Sequence, residues 1–473
     1  MHEESVITRT VRAAPGVLGP GHLGELTQTI DFALVDAVVE ETRTRERRVR
    51  LLPSRVVVYF VLALALFEDC SYRAVWGKLT AGLGGLCLAC PAASSLCRAR
   101  RRIGAGPLRL LFETLAGPVG LPGQPGVFYR GLRTVAVDGT HLHVPDDPAV
   151  TWRYPKRAGE RREFGYPLLR LLALVECGTR AVLAATFGPE AAGELACARR
   201  LLTALDATTL LLADAGFDAA DFLADIAAAG AHFLIRSTAR RHPTPLRHLP
   251  DGSYLAQLGY GVLPALIPVR IIEAAVTITL ADGTTRTEQW RLVTSLPGHA
   301  RHPARELVTL YHQRWQAETT YYSIKATMLD GRVLRSHSLT GIDQEVYALL
   351  ATYQALIRAA ADTATTQPGL DMDQISFTIL LQTAGDLVTT ATSILPADPV
   401  DLPGEIGRAA LRDLLPAWRR PRVKTRTRKN PTSKYSPSTR QHPATAQTYT
   451  IHARIIFLSQ GLAPRAQRQT QRC

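Results

Sequence analysis

The sequence predicts an α/β fold: a mixed sheet with helices on both faces, a helical region before it, and helices and a basic tail after it. Three observations predict this. Between Arg133 and Ile235, short apolar runs bounded by Gly, Asp and Thr alternate with helical patterns. Residues 30–115 carry helix-length patterns only, and a Gly/Pro-rich stretch, Gly117–Gly126, separates them from the alternating block. The charge changes late: no acidic residue follows Asp413, whereas 13 of the 55 Lys and Arg lie between Arg419 and Arg472. With 473 residues and 46% hydrophobic content, the chain can fill several domains around a substantial core.

Residues 1–28 read as irregular, because Pro15, Gly16, Gly19, Pro20 and Gly21 interrupt any pattern. A helix is expected from Ile30 to Arg48, with Pro53 breaking the chain after it. Arg55–Phe67 reads as a buried helix, since its apolar run of 12 residues is too short to span a bilayer. Ser71–Leu79 is a short helix opening at a Ser cap. Ala92–Ile103 is another, carrying Arg98, Arg100, Arg101 and Arg102. Two short helices with a basic second one outline a helix-turn-helix, although the AGLGG turn is longer than that motif usually has. The plainer reading is a basic surface helix. Pro107–Leu115 closes this region, and the first domain is drawn at 1–126.

The next block opens with Arg133–Val137, a short strand ending at Asp138-Gly139. Leu168–Glu176 and Ala181–Phe187 read as a hairpin, and Glu190–Leu205 as a helix interrupted at Gly193. Thr208–Ala213 is a strand ending at Asp214, Ala219–Ala229 a helix and His232–Ile235 a fifth strand. Three strands, helix, strand, helix, strand and then a long helix fit a ribonuclease H-like mixed sheet. Residues 237–296 are rich in Pro, Gly and strand patterns, with Val269–Leu280 and Thr287–Thr294 joined around Asp282-Gly283. They read as a β-rich insertion, leaving 127–236 and 297–360 as the core of the sheet domain. Gln344–Thr363, Ile375–Thr392 and Ile406–Leu415 read as helices, the last two within a C-terminal helical region, 361–415. Pro421, Pro431 and Pro437 argue against a compact core in the basic tail, 416–473, which is expected to be partly disordered.

The stretch Pro303–Gly331 organises the rest. Pro suits the first turn of a helix and Gly its end. Tyr311, Arg314, Glu318 and Lys325 stand at offsets of 0, 3, 7 and 14, which on an ideal helix fall within an arc of about 60°. One stripe thus carries a phenol, a guanidinium, a carboxylate and an ammonium. A solvated face with an Arg314–Glu318 pair would also explain two of them.

The whole spacing, Y-x2-R-x3-E-x6-K, together with LRSHSLTGIDQEVYALLATY over 334–353, resembles the signature of the insertion-sequence-four family of DDE transposases. The resemblance covers Arg133–Tyr353 well and the N-terminal helices loosely. It implies a ribonuclease H-like catalytic domain with a β insertion. It implies cut-and-paste transposition by metal-dependent phosphodiester hydrolysis and strand transfer. It also implies three ligands, Asp138, Asp214 and Glu318, with Asp138 bridging two Mg²⁺ ions for which Mn²⁺ can substitute. Three carboxylates at one place repel each other unless cations neutralise them, and hard oxygen donors suit these ions. Arg314 and Lys325 would hold phosphates beside the scissile bond, Tyr311 would donate its hydroxyl to one, and Trp290 would stack on an extruded base. Arg98, Arg101 and Arg102 would contact DNA from the N-terminal domain. The partners implied are double-stranded DNA, as the element's inverted repeats and its target, and a second copy of the chain in a synaptic homodimer. A nuclease of the same fold that does not join strands, or an idle DNA-binding descendant, would share these residues or most of them.

Bulk properties fit. Of the net charge of +14, all but one unit resides in the tail, where a phosphate-binding arm and a solubilising tail are both consistent. No apolar signal region opens the chain and no run is long enough for a membrane span, so a bacterial cytoplasmic, nucleoid-associated protein is expected. The seven cysteines do not suggest a disulfide framework, and Cys87-Leu-Ala-Cys90 lacks the partners of a zinc finger. His141 and His143 alternate beside Asp138 and suit hard-cation ligation poorly.

Overall fold

The computed structural model describes residues 12–14, 17–48, 50–158, 163–238, 241–260, 265–279, 285–397, 401–416 and 454–457. The expected turn at Asp282-Gly283 and the basic tail lie outside this range, apart from a strand at Arg454–Phe457. The N-terminal stretch includes a strand pair, Arg12–Ala14 with Val17–Leu18.

The helical region contains α1 (Phe32–Glu41), α2 (Ser54–Leu66), α3 (Tyr72–Ala81), α4 (Ala93–Ile103) and α5 (Gly106–Leu115). The first is shorter than its pattern, because the charged run after Glu41 offers nothing to bury and turns instead. Apolar on every side from Val56 onward, α2 is buried over that whole stretch. Asp31 and Ser71 cap α1 and α3 by accepting the backbone N–H of Leu34 and Ala74. The Gly/Pro-rich stretch is pinned to the next block: the N–H groups of Val119 and Gly120 donate to the buried Glu176 carboxylate.

One sheet of 11 strands follows. Its named strands are β1 (Leu132–His143), β2 (Leu168–Glu176), β3 (Val182–Pro189), β4 (Thr209–Ala213), β5 (His232–Arg236), β6 (Tyr254–Tyr260), β7 (Ala265–Thr279) and β8 (Thr285–Thr294). The spatial order is β6-β7-β8-β5-β4-β1-β2-β3. β1, β4 and β5 are parallel, and the other pairings are antiparallel. The β-rich insertion is therefore an extension of the same sheet, joined where Leu234–Arg236 pair with Leu292–Thr294. Arg454–Phe457 adds to β7 at Ala274–Thr277.

Side chains alternate between two covered faces, as a sheet buried on both sides requires. Ala136, Leu171, Ala173, Leu210, Leu212 and Leu234 face the helices of the first region and those after the sheet. Val135, Val137, Leu172, Leu211, Ala213 and Phe233 face α6 (Glu194–Arg199) and α7 (Ala220–Ala228). The expected helix 190–205 is cut into short turns, with Gly193 at a φ of +74° splitting off α6.

The long helix after Pro303 is also segmented. It comprises α8 (Ala304–Tyr311), a 3-10 turn at His312–Arg314, α9 (Trp315–Tyr322) and a π turn at Ser323–Met328. The ideal 100° spacing fails here, because tightening before Glu318 and widening after it re-aim the stripe residues. Then come α10 (Leu339–Thr365), α11 (Phe377–Thr390) and α12 (Gly404–Arg412). Buried almost throughout, α10 packs on α5 and α2, so one apolar core runs from the first helices to the sheet.

Candidate active site

β1 and β4 stop pairing at Ala136 and Leu212. Asp138 and Asp214 each stand two residues beyond that last pair. They open on the crevice at the carboxyl ends of the parallel strands, the usual ligand position of an α/β sheet. Asp138 does not end its strand, as the sequence suggested. β1 runs on to His143 against β2, and Asp138 alternates with Ala136 toward the α9 face. Asp214 caps the turn at Ala215–Phe217, its Oδ1 accepting the Gly216 N–H at 2.8 Å.

The segmented helix fastens both positions. The Tyr311 hydroxyl donates to the Ala213 carbonyl at 3.1 Å, one residue before Asp214. The Tyr321 hydroxyl donates to the carbonyl of Asp138 itself at 2.6 Å. The Lys325 ammonium donates to Thr140 Oγ1 at 3.1 Å. Tyr311 is therefore buried and turned toward the sheet, where it positions a strand end; the expected hydroxyl bond to a phosphate does not suit that orientation. Burial pushes its phenol up to about 12. Tyr321 stands ten residues after Tyr311 on the same run, and its link to Asp138 was not legible in the sequence, since strand register decides which carbonyl it meets.

Between Asp138 and Glu318 lies Arg314. Its Nη2 donates to Glu318 Oε1 at 3.1 Å, and its Nη1 is 3.8 Å from Asp138 Oδ2. Its Nε is buried without a hydrogen-bond partner. Burial raises Asp138 to about 7, and repulsion from Glu318 and Asp214 adds to it, while Arg314 and the Gly139 N–H pull the other way. Among the described residues, no three His, Cys, Asp or Glu side chains converge into a ready-made metal cage. Even so, the donors fit a hard divalent cation. They are carboxylate oxygens, partly exposed, and one of them, Asp138, is raised to about 7 by burial and then by the neighbouring carboxylates, a cost that a bound cation would offset.

Trp290 on β8 stands beside Tyr311, edge to face with ring centroids 5.4 Å apart. The Arg236 guanidinium lies 5.5 Å over its ring, and its indole N–H donates to Glu288 at 3.1 Å. Sequence reasoning missed Arg236, which ends β5 immediately before the insertion. It also passed over Trp315 and Tyr322, which are exposed on either side of Glu318 at helical spacing.

The arginines of α4 divide. Arg98 and Arg101 are exposed. Arg102 donates to the Leu52 carbonyl at 2.5 Å, so part of its capacity is spent inside the protein. Arg100, between them, is buried. Cys87 and Cys90 are exposed free thiols. No described helix is long and apolar enough to cross a membrane.

Two families match this chain. Residues 20–113 match "Insertion element 4 transposase N-terminal", and residues 129–354 match "Transposase DDE domain". A relative from Escherichia coli (strain K12), "Transposase InsG for insertion sequence element IS4", is 26% identical over 392 residues, 80% of this chain and 86% of that one. A second from the same organism, "Putative transposase InsZ", is 28% identical over 226 residues, 47% of this chain and 71% of that one. Among solved structures, a piggyBac transposase synaptic complex with hairpin DNA aligns with a TM-score of 0.42 and 11% identity, covering 87% of this chain and 90% of that one.

Proposed function

Because the chain belongs to the insertion-sequence-four family of DDE transposases, we propose that Asp138, Asp214 and Glu318 are the carboxylates that perform its DNA cleavage and strand transfer. One observation carries this assignment. The helical run that bears Glu318 also holds the two aspartate positions in place, through Tyr311 to Ala213 and Tyr321 to Asp138. Three acids separated by 76 and 104 residues are thereby tied into one mechanical unit.

DDE domains work with divalent metal ions. In this reading the site takes two Mg²⁺, or Mn²⁺, on Asp138, Asp214 and Glu318. The bound ions supply Lewis-acid stabilisation of the charge that develops on the attacking and leaving oxygens. The chain's own residues do the rest. Arg314 turns from the carboxylates to a phosphate flanking the scissile bond, where its planar fork can hold two oxygens. Lys325, anchored by Thr140, fixes a second phosphate. The rings of Trp290, Trp315 and Tyr322 offer faces on which bases can stack when the duplex opens. Arg98 and Arg101 hold the duplex by its backbone, and Arg102 contributes what its bond to Leu52 leaves. Residues 1–126 form the end-binding domain. The core at 127–236 and 297–360 is catalytic, 237–296 extend the sheet, 361–415 support the core helices, and the tail from 416 adds phosphate contacts. Two copies of the chain pair the element's ends on the bacterial nucleoid.

The test is cleavage of a labelled duplex carrying the element's own ends in Mg²⁺, comparing wild type with Glu318→Ala. End-specific cutting and joining that vanish in the variant are expected. Cutting that persists in Glu318→Ala would remove Glu318 from the site, and cutting without joining would reassign the protein as a nuclease.

A further inference from the structure

The two aspartates share a feature that the three-carboxylate reading leaves unexplained: each is followed closely by a glycine, Gly139 and Gly216. Neither glycine adopts a positive φ, so backbone conformation does not demand them. Space does. An added Cβ at Gly139 would lie 2.2 Å from Glu194 Oε1. An added Cβ at Gly216 would lie 3.0 Å from Asp214 Oδ1 and 3.6 Å from Glu194 Oε2. The Glu194 carboxylate therefore rests on the bare side of both glycines. Together with Asp214 it faces a single point beside Gly216.

Glu194 arrives from the sheet face opposite Glu318. Gly139 alternates with Asp138 along β1, so the side that Gly139 leaves open faces α6, where Glu194 is the first residue. Its carboxylate forms no hydrogen bond with any described residue. Its nearest cation, Arg170 on β2, has Nη1 at 3.9 Å, beyond hydrogen-bond reach. Glu194 is 35% exposed and within water's reach, but its Oε2 and Asp214 Oδ1 both lie within 3.6 Å of the same point beside Gly216, so two carboxylates share one small space. A shared cation removes that repulsion and uses both oxygen donors.

We propose that Glu194 is a fourth acidic residue of the metal site, giving a carboxylate oxygen to the divalent cation held by Asp214. The sheet edge is then clasped from both faces, by Glu318 through α9 and by Glu194 through α6. Both glycines are there to let the second carboxylate in. This rests on the reading of Asp138, Asp214 and Glu318 as metal ligands.

The test is Mn²⁺ binding to the purified full-length protein, followed by the electron paramagnetic resonance of free Mn²⁺. Glu194→Gln should weaken binding about tenfold, the scale of losing a supporting group at a metal site. Gly139→Ala should do the same with every carboxylate present, because the new methyl pushes Glu194 aside. The thermal unfolding midpoint of each variant checks that the fold is intact. Asp214→Asn and Glu318→Gln are the controls. Wild-type Mn²⁺ binding in both Glu194→Gln and Gly139→Ala, with weakened binding in the two controls, would overturn the role of Glu194 and leave the three-carboxylate reading standing. Unchanged binding in the controls as well would overturn both.

Discussion

Two buried arginines of this molecule, Arg100 on α4 and Arg314 in the 3-10 turn before α9, pair with carboxylates, and they are treated in opposite ways. Arg100 is saturated. Its three nitrogens donate to Gln344 at 2.5 Å, to Tyr72 and Ser336 at 2.6 Å each, and to the Gly341 carbonyl at 2.9 Å, with Glu345 3.4 Å away. Glu345 in turn accepts from Ser336 and from the Arg335 N–H. Arg314 is satisfied less fully, with ion pairs to Glu318 at 3.1 Å and Asp138 at 3.8 Å, the Trp315 ring 5.6 Å from its guanidinium and a buried Nε without a hydrogen-bond partner. A buried charge with every donor satisfied joins elements rigidly, here α4 to the start of α10. A buried charge among too many carboxylates stores repulsion that a further cation can release. The first network holds the first helices against the core; the second has room for a further cation.

The sharpest way to break this comparison is to remove one charged group from each cluster. Glu318→Gln should reduce cleavage of element ends on the order of a thousandfold or more, since metal-held charge stabilisation is worth several kcal/mol. The unfolding midpoint should hardly fall. A gel assay beside a thermal melt reads both, and a destabilised Glu318→Gln would show that the second cluster is also structural.

Arg100→Ala should do the reverse. It leaves Glu345 and Gln344 buried without their partner, at a cost of about 3 kcal/mol or more in urea unfolding. Loss of activity should follow loss of fold, with wild-type turnover per folded molecule at low temperature. Arg100→Met, which preserves bulk but not charge, should remain as unstable, because the acceptors are still orphaned.

The pH dependence of the second cluster has a definite sign. Asp138 is raised to about 7 from an ordinary 3.8, so its folded state disfavours the charge. That cost is absent below about pH 4, grows as pH rises and is complete above 7. In EDTA, Asp138→Asn should therefore be more stable than wild type at pH 8, by up to roughly 4 kcal/mol, with the gap closing as pH falls toward 4. Adding Mg²⁺ should stabilise wild type and not the variant. A variant less stable than wild type at pH 8 would mean that the Arg314 pair outweighs the burial.

The order of sheet, helices and insertion was legible because apolar periodicity reports burial on either face. What escaped lies where a local signal has two meanings. Asp138-Gly139 reads as a turn, yet β1 passes straight through it; the glycine serves a neighbour 55 residues away, which no local pattern encodes. The break at His312–Arg314 contains neither Gly nor Pro, so nothing in the text marks it. Arg100 could have been found. Leu96, Ala99, Arg100 and Ile103 have the i, i+3, i+4, i+7 spacing of a core stripe, and all four are buried. The run of neighbouring arginines hid the one that faces inward.

That same run yields the smallest and most discriminating prediction. If α4 uses Arg100 to hold the fold and its neighbours to hold DNA, each exposed arginine should behave as an independent phosphate contact. Arg98→Ala and Arg101→Ala should each weaken binding of an end duplex by about 1 kcal/mol or less, reduce the slope of log K against log salt by about one unit, and leave stability unchanged. Arg102→Ala should shift the slope less, because its guanidinium is already bonded to Leu52, and should lower the unfolding midpoint slightly. Fluorescence anisotropy across a salt series separates these. Equal slopes for wild type and both exposed variants would place the duplex elsewhere, and α4 would then be a structural helix whose outer charges serve solubility alone.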